Sequence, residues 1–108
     1  MSNDLKQETG AQTLPPETLI CQVDHIAMHP HGMFGYGWAL DRAGTIAHAT
    51  LQLHYEDGTT ESVQASMNRV REEVAIAFPH HAQAAHSGFM LMAGWSGLPP
   101  QKIELVFE

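Results

Sequence analysis

The clearest pattern in the chain is a strict alternation of apolar and polar positions over residues 45–55. One face of this segment carries Ala47, Ala49, Leu51, Leu53 and Tyr55, and the other carries His48, Thr50, Gln52 and His54. A period of two is typical of a strand with one face in a core. Asp57-Gly58 follows at once and favours a hairpin turn, so residues 60–65 are predicted as the return strand.

Four further segments have the apolar, β-prone composition of strands. They are residues 19–26, 33–40, 88–93 and 102–107, the last with Ile103, Leu105 and Phe107 inward. A short helix is predicted over residues 69–77, with Asn68 as its N-cap and Pro79 near its end. Strands at hairpin spacing predict a mainly all-β fold, an antiparallel β-sandwich of about six to eight strands with one short inserted helix.

The start of the chain has a different character. Residues 1–17 are polar, lack apolar periodicity, and contain Gly10 and the Pro15-Pro16 pair. Such composition is typical of a disordered leader. The predicted organisation is therefore a polar leader over residues 1–17 and a β-sandwich domain over residues 18–108.

Charge and length narrow the classes of partner. The chain has 108 residues and a net charge of −7, with five Lys and Arg against twelve acids. Nucleic acids and anionic membrane surfaces are recognised by clustered cations, so neither is expected as a partner. No apolar run is long enough to cross a bilayer, and the N-terminus lacks the features of a secretory signal, so a cytoplasmic location is expected.

A set of short motifs in a fixed order carries a family resemblance. The set comprises Gly37-Trp38-Ala39-Leu40-Asp41, Asp57-Gly58, Arg71-Glu72-Glu73-Val74, Phe78-Pro79 and Ser87-Gly88-Phe89. It resembles a small β-sandwich accessory module that accompanies bacterial glycosyltransferases and some methyltransferases. Glu73 stands where that module usually carries Asp. The resemblance implies a domain without chemistry of its own that assists enzymes of glycan or secondary metabolism.

Three aromatic residues are candidates for binding a saccharide. Trp95, Tyr36 and Trp38 offer flat faces that could stack on a pyranose ring, with Asn68 among the polar neighbours that could read hydroxyl groups. Large aromatic residues also form the cores of small sandwiches, and Trp38 lies in an apolar strand. Trp95 lies in a glycine-flanked turn, where an exposed ring can be presented.

Arg71 is interpreted as a structural residue. The chain has few arginines, and a guanidinium forms planar, bidentate pairs with carboxylates. Its predicted partner is Asp41 or Glu73. Recognition of an anionic substrate is the alternative.

The histidines and methionines offer one further candidate chemistry. Met28, His29, His31 and Met33 form a soft ligand set that could suit copper, which is an alternative function. No nucleophile elbow, phosphate-binding loop or spaced carboxylate pair is present, so no enzyme activity and no cofactor are predicted.

The principal hypothesis combines these observations with the resemblance. It is a non-catalytic accessory module of bacterial glycan-related metabolism that binds a saccharide or a glycan-processing enzyme. A small copper-binding protein and a structural or oligomerisation module are the alternatives.

Overall fold

The computed structural model describes residues 5–8, as backbone only, and residues 18–108. In this part of the chain there are eight strands, one α-helix and one 3₁₀ turn at Ala84–His86. The strands are β1 Leu5–Glu8, β2 Leu19–His29, β3 Gly32–Asp41, β4 Ala49–His54, β5 Thr60–Gln64, β6 Ser66–Arg69, β7 Gly88–Gly94 and β8 Lys102–Phe107, and the helix α1 is Glu72–Ala77.

The strands form two four-stranded sheets. The first sheet has the order β1-β8-β4-β5 and the second has the order β2-β3-β7-β6. All pairs are antiparallel except β1 and β8, which are parallel. The chain passes from the first sheet to the second at Ala65, a buried residue whose N–H donates to the Ala49 carbonyl at 2.8 Å. The predicted antiparallel β-sandwich with one short helix is confirmed.

The alternating segment forms β4, as predicted, but over a shorter range. Ala49, Leu51 and Leu53 are fully buried and the intervening positions are partly exposed. The prediction is wrong for Ala47, which is exposed, while its neighbour Ile46 is buried. Residues 45–48 precede the strand. The side-chain amide of Gln83 hydrogen-bonds both the N–H and the C=O of Ile46, and in this arrangement the Ile46 side chain points inward.

Part of the predicted leader also has regular structure. Leu5–Glu8 forms β1 and pairs in register with residues 103–106 of β8. A strand at a sheet edge offers unpaired N–H and C=O groups, and these pair with any backbone, including that of a polar segment. Leu5–Glu8 thus pairs as a strand, while the polar leader over residues 1–17 stays a prediction, and Gly10 and the diproline lie outside the described residues.

The helix is shorter than predicted and begins later. It spans six residues from Glu72, and Arg71 occupies the N-cap position without a side-chain capping hydrogen bond. The predicted N-cap, Asn68, lies instead in β6 with a φ of 61°. Asn adopts this left-handed conformation more readily than most residues, and here it accompanies an irregularity in the pairing of β6 with β7. No helix among the described residues has the length and apolar character that a membrane span requires.

Two hydrophobic clusters hold the domain together. The main cluster fills the space between the sheets, where Phe89 of β7 meets Phe107 of β8 edge to face with ring centroids 5.7 Å apart. The smaller cluster lies on the outer face of the second sheet, where Leu40 packs with Val74 of α1 and with Ala84. Helix α1 thus covers one part of that outer face.

The last strand has the predicted inward residues and one buried charge. Ile103, Leu105 and Phe107 are buried, as expected from their alternation. Glu104 is buried too, and its carboxylate contacts Nε2 of His54 and lies 3.3 Å from the ammonium of Lys102.

Glycine is required where β2 and β3 approach each other most closely. A β-carbon on Gly37 would overlap the carbonyl oxygen of Gln22 and lie 2.9 Å from Val23 Cα. Both contacts are with backbone, beside the bulge between Val23 and His25, so they cannot be relieved by a side-chain rotation. Gly94, at the end of β7, has its nearest such contact at 3.6 Å.

We therefore expect Gly37→Ala to destabilise the domain strongly. Forced overpacking costs about 1–3 kcal/mol or more in the free energy of unfolding. Gly94→Ala is the matched control and should be neutral or slightly stabilising, since it reduces the freedom of the unfolded chain. Urea denaturation of both variants measures the difference, and equal midpoints for the two would contradict the packing argument.

Candidate binding groove

Two loops at one end of the sandwich enclose a groove of about 810 Å³. One loop is the hairpin turn between β4 and β5, and the other connects β7 to β8. We call this feature the end groove, and its lining residues are Tyr55, Glu56, Asp57, Thr59, Glu61, Gly94, Trp95, Ser96, Leu98 and Pro99.

The hairpin wall of the groove is built by local hydrogen bonds. The N–H of Tyr55 donates to the Thr59 carbonyl at 2.9 Å, and the N–H of Gly58 donates to the Tyr55 carbonyl at 3.0 Å. Gly58 has a φ of 89°, which confirms the turn predicted from Asp57-Gly58. The hydroxyl and N–H of Thr59 both donate to Asp57 Oδ1, at 2.6 and 3.0 Å, and these bonds lower the pKa of that carboxyl.

Tyr55 and Glu61 form a second polar pair in the groove. The Tyr55 hydroxyl donates to Glu61 Oε1 at 3.1 Å. Burial, the hydrogen bond and the nearby charge of Glu61 all raise the pKa of Tyr55. Glu61 pairs in register with the fully buried Leu53, so it lies on the inner face of the first sheet although it is exposed. Glu61 therefore projects a negative charge into the open end of the sandwich.

Trp95 fixes the opposite wall. Its N–H donates to the His31 carbonyl at 3.0 Å, and its indole Nε1–H donates to the Pro30 carbonyl at 2.8 Å. The ring is partly buried and packs against the main cluster. Because the indole N–H is already bonded to the β2–β3 turn, the ring can offer a ligand an aromatic surface but no hydrogen bond.

The far side of the same loop is also held in place. Gly97 turns the chain with a φ of 80°, and the N–H of Gln101 donates to the His54 carbonyl at 2.7 Å. Leu98, between them, is 71% exposed. The loop thus presents an apolar side chain on a backbone that is bonded at both ends.

The other predicted saccharide ligands lie elsewhere. Tyr36 is 41% exposed on the outer face of the second sheet, with its ring 6.0 Å from that of Phe34. Trp38 is partly buried beside α1, where its ring lies 5.8 Å from that of Phe78. Asn68 is exposed on β6. None of Tyr36, Trp38 and Asn68 lines the end groove, so the four predicted residues do not form one site.

Sequence reasoning missed most of the groove. The alternation predicts Tyr55 as the inward end of a strand, and the turn at Asp57-Gly58 predicts Glu61 as part of the return strand. The available signal was the Tyr-Glu-Asp-Gly sequence itself, an aromatic residue and two acids at a turn. Its proximity to Trp95, forty residues later, depends on the pairing of β4 with β8, which no local pattern specifies.

The ligand set of the copper alternative is divided between interior and surface. Met33 is 3% exposed and belongs to the main cluster, whereas Met28, His29 and His31 are exposed. Within the described part of the chain, no group of three or more His, Cys, Asp and Glu side chains is arranged to hold a metal ion.

Arg71 pairs with Glu73, one of its two predicted alternatives. Its guanidinium donates to Glu73 Oε2 at 2.9 Å, as expected, and to Asp24 Oδ2 at 2.7 Å. The predicted alternative, Asp41, is not its partner. The Asp41 carboxylate accepts the N–H of Ala43 at 3.0 Å, and its carbonyl oxygen lies 2.8 Å from Nε2 of His81, in the turn that follows β3.

The Arg71 side chain crosses the outer face of the second sheet. Its Cγ lies 2.9 Å from the position that a β-carbon on Gly88 of β7 would occupy, and its guanidinium reaches Asp24 on β2. Since β3 separates β7 from β2, the side chain spans it. The hydrogen bond to Glu73, then the bond and charge of Asp24, raise the pKa of Arg71 against the opposing effect of burial.

Comparisons of the chain with protein-family models, with curated proteins and with solved structures find no match. The resemblance to accessory modules therefore stays a prediction.

We expect Arg71 and Asp24 to be energetically coupled. Both side chains are about one-fifth exposed, at 20% and 22%, so the expected strength of this ion pair lies between that of an exposed pair and that of a buried pair. The coupling in the free energy of unfolding should be about 1–3 kcal/mol. A double-mutant cycle with Arg71→Ala and Asp24→Asn measures it. The same cycle with Asp41→Asn is the control and should be additive, and additivity in both cycles would contradict the assignment.

The pair also predicts a pH effect at Glu73. The hydrogen bond from Arg71 is the main cause of the lowered pKa of this exposed carboxyl. A depressed carboxyl pKa favours the folded state above the unfolded pKa, and this contribution is lost as the pH falls through the folded value. NMR titration of the Glu73 carboxyl should give a pKa below that of ordinary glutamate, and Arg71→Ala should raise it. An unchanged value in the variant would show that Arg71 is not the cause.

Proposed function

We propose that this protein is a non-catalytic accessory module of bacterial glycan-related metabolism that binds a saccharide in the end groove. The observation that carries the proposal is the composition of this groove. Aromatic and apolar surface from Tyr55, Trp95 and Leu98 lies beside several carboxylate and hydroxyl acceptors, in a volume of about 810 Å³. Volumes of this order are typical of small-molecule sites.

Sugars carry apolar C–H faces and rims of hydroxyl groups, so they need both kinds of surface. The indole and phenol rings and Leu98 supply the apolar surface for a pyranose face. Sugar hydroxyls donate hydrogen bonds, and Glu56, Asp57 and Ser96 supply oxygen acceptors at the rim.

The groove is formed before any ligand arrives. The hairpin wall is fixed by the bonds among Tyr55, Gly58 and Thr59, and the opposite wall by the two bonds from Trp95. A preorganised site loses less conformational entropy on binding. The proposal therefore requires no loop closure.

Affinity for a single sugar should be low. One or two rings and a few hydrogen bonds in competition with water leave a small surplus over the cost of association. A dissociation constant near the millimolar range, about −4 kcal/mol, is expected. Such binding becomes effective when the module is tethered to, or assembled with, an enzyme that acts on the same glycan.

A second candidate is the docking of a glycan-processing enzyme on the outer face of the second sheet. Next to the part covered by α1, this face exposes Tyr36 at 41% and Met92 at 66%. Phe34 pairs in register with Met92, and Tyr36 pairs with Met90, so the four side chains share one surface. Aromatic residues and methionine are enriched in protein interfaces.

Leu98→Ser tests the groove without disturbing the core. Leu98 is 71% exposed, so the variant should keep the unfolding midpoint and weaken saccharide binding about tenfold, or about 1.4 kcal/mol. Met92→Ser, on the outer sheet face, is the matched control and should leave binding unchanged. NMR titration with a panel of neutral, amino and acidic oligosaccharides measures both.

Trp95→Ala should abolish binding, but it should also lower the unfolding midpoint because it removes the bond to Pro30 and the packing against the main cluster. The result that contradicts the proposal is the absence of any shift at groove residues with the whole panel at high millimolar concentration. If Met92→Ser then prevents a co-purifying enzyme from binding, the module is a docking part.

A further inference from the structure

We propose that the end groove selects saccharides that carry free amino groups over their neutral and acidic counterparts. This inference rests on the proposed function and names the ligand class of the same site. It follows from the charges of the groove and from the way its hydrogen bonds are already used.

The groove carries charge of one sign. Three carboxylates line it, from Glu56, Asp57 and Glu61, and none of its lining residues is Lys, Arg or His. A ligand carboxylate or sulfate would therefore face like charges without a cationic partner. An ammonium group would face opposite charges, which are worth most where the surrounding walls exclude part of the water.

The carboxylates are positioned and keep free acceptor sites. Thr59 bonds Oδ1 of Asp57, and the Tyr55 hydroxyl bonds Oε1 of Glu61. Among the described residues, Oε2 of Glu61 and the carboxylate of Glu56 take part in no hydrogen bond or ion pair. An ammonium group has three donors and no acceptor, which matches this arrangement.

The aromatic wall favours the same ligand. Because the indole N–H of Trp95 is bonded to the Pro30 carbonyl, the ring has no further donor that would compete for the carboxylates. A cation near an aromatic face is attracted by the ring quadrupole, and Trp is the strongest of the aromatic partners. An amino sugar can therefore place its C–H face against apolar surface and its ammonium group against carboxylates at the same time.

The decisive comparison uses two probes with the same backbone. These are a β-1,4-linked tetramer of glucosamine, at a pH where its amines are protonated, and the fully N-acetylated tetramer. We expect the free amine to bind about tenfold more tightly, and added salt to weaken only the free amine. NMR titration reports both affinities and whether Tyr55, Trp95 and Leu98 shift.

Two double variants distinguish the effect of the groove carboxylates from the effect of the negative net charge of the whole chain. Glu56→Gln with Glu61→Gln removes two groove charges and should reduce the preference for the free amine to near unity. Glu72→Gln with Glu108→Gln removes two exposed charges that do not line the groove and should leave the preference unchanged. An equal loss of preference in both double variants would overturn the inference, because the attraction would then be nonspecific.

The same titrations distinguish selectivity for amino groups from saccharide binding itself. If both tetramers bind the groove equally well, the selectivity for amino groups is refuted and saccharide binding stands. If neither tetramer, nor any other saccharide, shifts groove residues, the proposed function itself fails. If the linear polyamine spermine binds the groove as tightly as the glucosamine tetramer, the site recognises cations and not sugars.

Discussion

The contact between the two sheets determines the rest of this structure. Phe89 and Phe107 are both almost fully buried and meet edge to face across the interface, with their ring centroids 5.7 Å apart. Burying an aromatic side chain of this size contributes about 1.5–3 kcal/mol, and a ring pair adds about 0.5–1.5 kcal/mol. Because each ring belongs to a different sheet, the contact fixes how β7 lies against β8.

The end groove is a consequence of that arrangement. The loop after Gly94 must cross from the second sheet to the first, since β7 and β8 lie in different sheets. In the first sheet His54 pairs with Lys102, so the turn that leaves β4 and the loop that enters β8 emerge side by side. The groove therefore requires no specialised insertion. It lies where these two connections leave the end of the core uncovered.

How much of this follows from the sequence depends on the range of the interactions. The core face of β4 could be predicted because period two is a local property, and the turn at Gly58 could be predicted because its φ suits glycine. Ala47 was predicted wrongly because the side chain of Gln83, far along the chain, orients its neighbour Ile46. Local alternation carries no information about such a contact.

The candidate residues show the same division. Arg71 and Glu73 are two residues apart, and their pairing was predicted. Asp24 is forty-seven residues from Arg71 and lies beside a bulge that no sequence pattern predicts. Asn68 looked like a helix cap because Asn is common there, but its tolerance of positive φ placed it in an irregular strand instead. The first error comes from the range of the contact, and the second from a residue type that suits more than one local geometry.

The acids of the groove do not all have the same reason to be present. β5 is an edge strand, and an inward-pointing charge such as Glu61 protects an edge against pairing with other chains. Asp57 shapes its own turn through Thr59. These two carboxylates thus have structural explanations that require no ligand.

Glu56 has no such explanation. It forms no hydrogen bond or ion pair among the described residues, and it adds a like charge next to Asp57 in the lining of the groove. Like charges in proximity oppose folding to a small extent, so this position contributes repulsion without a compensating contact. Glu56 is therefore the groove carboxylate on which the proposed selectivity for ammonium groups depends most, since a bound cation would replace this repulsion with attraction.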